Sequence, residues 1–232
     1  MKADRLDGIF IGVVHRDPDG ARRLLSALQT LRPALLTLEV SPYAVSFRRQ
    51  HSTRLMELLE QNAPAGKKDH GEIQAIRETL EIPFEVRAAQ LFSEANPIHV
   101  ELIDDSDLSR ELLRDISDEL LTPENLAALA DRPDVPLPRM VSSFYRRTRR
   151  LMAQEPVPPA LLGFSPERLA LLELRDESME RHIRKLLSEH PNVRWIHVGG
   201  VVHLLRVRGL NLLWSRFEAD GLRRAYLDEL VN

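Results

Sequence analysis

The sequence predicts an α/β protein: a mainly parallel sheet of two related halves, covered by helices, with a helical insertion at roughly 105–190. Three observations predict it. Apolar, β-branched runs alternate with helical stripes early in the chain, the pattern of β-α-β units, which build parallel sheets. Between about 105 and 190 the signals are helical almost throughout, with strand signals before and after. The tetrapeptide Gly-Val-Val-His also occurs twice, at Gly12–His15 and Gly200–His203, each time behind an apolar strand.

Gly8 to Val14 reads as a buried strand, apolar on both faces. Asp17-Pro18 supplies an N-cap and a proline at the first helical position. Ala21, Leu24, Leu25, Leu28 and Leu31 form the stripe of the helix that follows, and Arg32-Pro33 stops it. Leu35 to Leu38 is a second buried strand, ending at Glu39. Ser41-Pro42 opens a helix to about Asn62, and a loop over Ala63 to Lys68 separates it from a helical region at His70–Glu94, interrupted near Pro83. Ile98 to Ile103 is the third strand, ending at Asp104. Leu108, Leu112, Leu113, Ile116 and Leu120 mark the next helix, and Thr122-Pro123-Glu124 starts a short one.

The prolines at 133, 136 and 138 form the one candidate internal boundary. The sequence on either side reads as one domain over 1–232. Ser165-Pro166-Glu167 caps a long helix to about Glu189, with Leu169, Leu172, Met179, Ile183 and Leu186 on its apolar side. Val193 to Val198 is the fourth strand. The remainder reads as helical, with an unassigned middle around Leu210–Phe217.

Composition removes several classes of function. A net charge of −3 provides no global field to recruit nucleic acid or an anionic membrane. The absence of cysteine excludes disulfides, thiolate nucleophiles and thiolate metal sites, so a metal would need nitrogen and oxygen ligands. No apolar run approaches the roughly 18 residues of a membrane span. The stretch Met1–Asp7 has no long apolar segment behind it, so no secretory leader is expected and the expected location is the cytoplasm. Assembly into a homo-oligomer is left open.

Ligands of open parallel sheets bind beyond the carboxyl ends of the strands. Three strands end in an ionisable residue (His15, Glu39, Asp104), and the fourth leads into His203 within a few positions. Two imidazoles and two carboxylates suit a divalent transition metal such as zinc, manganese, iron or cobalt. They equally suit general acid/base catalysis. A strand-end histidine also serves as ordinary hydrogen-bonded structure, and Asp104 as a helix cap. The arginines at 146, 147, 149 and 150 read as a solvated helix face. The dinucleotide fingerprint, the phosphate-binding loop, the His-Glu-x-x-His helix and the hydrolase nucleophile elbow are absent.

At these residues the chain resembles the TraB/PrgY family, within the superfamily of Tiki proteases, erythromycin-esterase-like and ChaN-like proteins. The similarity covers most of the chain and is strong at short motifs. The family's Gly-x-x-His pair resembles Gly12–His15 and Gly200–His203, and its second-strand glutamate resembles Glu39 after Arg32-Pro33. Its Glu-Met/Phe-Arg-x-Ala helix resembles Glu85-Val86-Arg87-Ala88-Ala89. Its Ile-Asp-Arg strand end is similar to Ile103-Asp104-Asp105, and its Glu-Arg-Asp-x-x-Met helix to Leu174–Met179. Asp105 and Leu174 depart from the pattern, and Pro83-Phe84 replaces the usual glycine.

The resemblance implies a metal-dependent hydrolase, peptidase-like, acting on a peptide or small-molecule substrate. Glu39, Glu85, Arg175 and Asp176 would be its catalytic residues, and His15, His203, Glu39 and Asp104 would hold the metal. The alternatives it leaves are a protein that binds a small ligand or haem without turnover, and a regulatory protein on a degenerate enzyme scaffold.

Overall fold

The computed structural model describes residues 7–230. Met1–Leu6, most of the stretch read for a secretory leader, lie outside them. Five strands form one sheet: β1 Gly8–Val13, β2 Leu35–Leu38, β3 His99–Leu102, β4 Trp195–Gly200 and β5 Arg223–Tyr226. Their order is β3-β2-β4-β1-β5, and every pair is parallel.

The connectivity contains an internal exchange. From β1 the chain steps over β4 to reach β2; from β4 it steps over β1, in the opposite sense, to reach β5. Swapping β1 with β4 and β2 with β5 maps these four strands onto their own order. The two Gly-Val-Val-His motifs therefore follow the two central strands, with Gly12 beside Gly199 and Val13 beside Gly200.

Strand alternation sends two sets of side chains to opposite faces. Ile9, Ile11, Leu36, Leu38, Ile196 and Val198 meet helices α1 (Gly20–Leu31) and α4 (Phe84–Ala95). Phe10, Leu35 and Trp195 meet α8 (Pro166–Glu189) and the short α9 (Leu213–Phe217) through Met179, Ile183, Trp214 and Phe217. The remaining helices, α2 (Pro42–Asn62), α3 (Gly71–Leu80), α5 (Ser106–Arg114), α6 (Pro123–Ala130) and α7 (Leu137–Met152), pack on one another, α2 against α3 and α5, and α3 against α6 and α7.

Ser41, Thr122 and Ser165 cap α2, α6 and α8 by accepting from the third backbone N–H beyond them. Each such cap contributes about 1 kcal/mol. Two expectations fail at the ends of elements. Helix α1 begins at Gly20 rather than after Asp17, whose buried carboxylate instead accepts from the Asp19 N–H and pairs with Arg23. The tail also holds β5 where helix was expected. Arg-Arg-Ala-Tyr is a four-residue edge strand paired only with β1, so it carries neither a buried apolar run nor a legible alternation.

The helical insertion docks onto the sheet. Tyr145 of α7 is buried against Tyr226, and its hydroxyl accepts from the Val14 N–H at 3.1 Å. The proline segment before α7 is tied down as well, because Asp134 accepts from the Gly71 N–H at the start of α3.

Candidate functional site

Strands β1, β2, β3 and β4 deliver His15, Glu39, Asp104 and the turn carrying His203 to the same edge of the sheet. Because β4 lies between β1 and β2, its last residues pass between His15 and Glu39. That passage requires glycine. A Cβ on Gly200 would sit 2.9 Å from His15 Nε2 and 3.5 Å from both Glu39 Oε2 and His203 Cδ2. A Cβ on Gly199 would sit 2.7 Å from His197 Nε2 and 2.9 Å from Glu39 Oε2. A short 3-10 turn at Val201–Leu204 then folds His203 back under the sheet edge.

Glu39 is the hub. Its Oε2 accepts from the Gly200 N–H at 2.6 Å; its Oε1 accepts from Arg175 at 3.0 Å and faces His203 Nε2 at 2.8 Å. Burial opposes its charge, yet His203, Arg175 and His15 together hold its carboxyl well below the usual range. His203 is 4% exposed and carries a carboxylate on each ring nitrogen, Glu39 at Nε2 and Asp176 at Nδ1. Burial disfavours its cation, but the two carboxylates outweigh that and raise its pKa to about 10. It is an imidazolium at neutral pH. Asp176, fully buried on α8, is held by the Leu213 N–H at 2.7 Å. Arg175 spans Glu39 and Asp104, donating to both Asp104 oxygens at 3.1 and 2.8 Å.

His15 is different. Its Nδ1 meets Glu85 Oε1 at 2.7 Å, while its side chain stays 45% exposed. Its Nε2 is 3.9 Å from Glu39 Oε2, too long for a hydrogen bond. Loss of surrounding water works against protonation, but Glu85 and Glu39 prevail and its pKa lies above 6.5. Glu85 stands in the first turn of α4, 1% exposed, and its Oε2 has no partner among the described residues.

All seven residues proposed from sequence thus belong to one network, joined by direct contacts except for the 3.9 Å step from His15 to Glu39. Asp104 reaches it only through Arg175, and the cap of α5 falls to Asp105, which accepts from the Leu108 N–H at 2.8 Å. Leu174 is 63% exposed. His197, whose alternation in the strand points it toward the covering helices, lies directly below this network. It is fully buried beneath the glycines, bonded through Nδ1 to Thr37 and stacked edge-on against Phe10. Burial pushes its pKa down to about 3, so it is neutral. Its place inside an apolar strand was the sequence signal for that burial.

Two cavities meet at this edge. The larger, about 1200 Å³, opens between α7 and α8; the smaller, about 310 Å³, lies toward α2 and α5. His15, Glu39 and Arg175 line both.

The donor set as placed does not fit a metal ion. Both His203 nitrogens and three Glu39 hydrogen bonds are already committed, and Asp104 is taken by Arg175. Among the described residues no group of three or more His, Asp or Glu is spaced to hold one. No family model, curated protein or solved structure matches the chain.

Proposed function

We propose that the chain is a hydrolase of carboxylic esters or amides in which His15 is the general base. One observation carries this reading: Glu85 fixes His15 Nδ1 at 2.7 Å, leaving Nε2 without a hydrogen bond on a ring that lines a cavity together with Arg175. A carboxylate at Nδ1 orients the ring and stabilises the imidazolium formed when Nε2 takes a proton.

In the reaction, Nε2 removes a proton from a water as its oxygen bonds to the substrate carbonyl carbon. The carbon–oxygen or carbon–nitrogen bond to the leaving group then breaks, and the leaving group receives that proton from Nε2. Arg175 lines both cavities, and its Nη1 makes no hydrogen bond among the described residues, which suits it to the developing oxyanion. Glu39 and Asp104 hold Arg175; Asp176 holds His203. These carboxylates position the machinery.

A general base contributes about 10²- to 10⁴-fold. His15→Ala should therefore lower kcat for a 4-nitrophenyl ester by that factor, and Glu85→Gln should lower it while shifting the pH profile. Turnover by His15→Ala equal to the parent's would refute the assignment.

A further inference from the structure

We infer that the larger cavity holds the acyl chain of the substrate. This inference rests on the hydrolase reading above and specifies its substrate class. The two cavities share His15, Arg16, Glu39, Leu112 and Arg175. Away from the reacting edge, the walls of the larger one are aliphatic and aromatic side chains of α7 and α8, among them Met140, Val141, Phe144, Leu171 and Leu172. Its charged lining residues other than the site are Arg16, Glu167, Arg132 paired with Glu72, and Arg168 stacked on Phe164. The smaller one adds Arg48, Glu78 and Ser109 beside the apolar Val40, Ala44, Pro83 and Leu113. Arg48 spends two donors on backbone carbonyls and forms no ion pair among the described residues. His15 lies where the cavities meet.

Size and exposure support the assignment. About 1200 Å³ exceeds the roughly 300–1,000 Å³ usual for small-molecule sites. Phe144 and Leu112, both on its wall, keep 38% and 62% of their surface in water, an unfavourable exposure that an apolar ligand would relieve.

The walls also argue against an extended peptide. A peptide brings an N–H and a C=O per residue, and these need partners. The backbone of α7 and α8 is satisfied internally, and neither edge strand, β3 or β5, contributes a residue to the lining. A hydrocarbon chain has no such requirement.

The test is calorimetric binding of the product acids acetate, butyrate, octanoate and decanoate to the full chain, beside hydrolysis of the matching 4-nitrophenyl esters. Affinity should rise about three- to fourfold per added methylene. Leu171→Trp should stop the rise at a shorter chain, and Phe144→Glu should flatten it. Both side chains lie outside the buried core clusters, and circular dichroism of each variant checks its fold. Equal affinity for acetate and decanoate, or a rise that survives both substitutions, overturns the inference. So does an apolar decapeptide that displaces decanoate as well as a longer fatty acid does. Hydrolysis without chain-length dependence overturns the inference and spares the hydrolase reading; chain-length-dependent binding without hydrolysis retires the hydrolase and keeps the acyl cavity.

Discussion

The same four residues, Gly-Val-Val-His, end in two different chemical states. His203 is enclosed, carries a carboxylate on each nitrogen and is held as a cation. His15 has one carboxylate on Nδ1, with nearly half of its side chain in the cavity. The topology treats the motifs as equivalents, since β1 and β4 exchange under the internal symmetry. The helices break that equivalence: α8 places Asp176 beneath His203, while α4 places Glu85 behind His15 and leaves the front open. A repeated motif supplies two copies of a group. The layers packed on it decide that one is held as a buried charge while the other keeps a half-exposed ring with Nε2 unbonded.

The largest test removes the difference from the His203 side. Asp176→Ala strips one carboxylate from the buried cation and orphans the Leu213 N–H. Breaking such a buried pair costs about 3–5 kcal/mol, to be read as a lowered denaturant midpoint. His15→Ala leaves the buried Glu85 without its partner and so also costs stability, but it should remove more activity.

Next comes the glycine between the motifs. Gly200→Ala puts a methyl 2.9 Å from His15 Nε2 and should displace the ring. A shift of about 1 Å is worth roughly 10²-fold in rate. The expected outcome is a kcat loss on that order with a folded protein, and an unchanged kcat would show that His15 Nε2 is not the reacting atom.

The pH dependence of stability follows from His203. Its pKa is raised on folding to about 10, so its contribution is fully present below its ordinary pKa of 6.5. That contribution is lost as pH rises from 6.5 toward 10. The denaturant midpoint of the parent should fall across this window, and that of His203→Gln should fall less. Smallest of all, Leu174→Glu restores the residue of the resembled family at an exposed position. It should change stability by no more than about 0.5 kcal/mol and leave turnover unaltered.

Much of this was legible in the sequence, for physical reasons. Strands β1, β2 and β4 are buried on both faces, so they read as unbroken apolar runs, and their ends name His15, Glu39 and His203 directly. Strand β5 is a charged edge strand whose existence depends on pairing with β1. Glu85 shows nothing in the local pattern, because a carboxylate in a first helical turn is ordinary until tertiary packing buries it. Only the family resemblance pointed there. Asp104 and Asp105 are adjacent and chemically alike; which one caps α5 and which one meets Arg175 is set by the approach of α8.

The most direct test of the division between the two histidines is an NMR titration of the imidazole signals, assigned by difference with His15→Gln and His203→Gln. Two separate transitions are expected: His15 somewhat above 6.5, and His203 near 10, still protonated at pH 7. Two rings that titrate together near 6.5 would contradict the account, because the twin motifs would then carry the same chemistry.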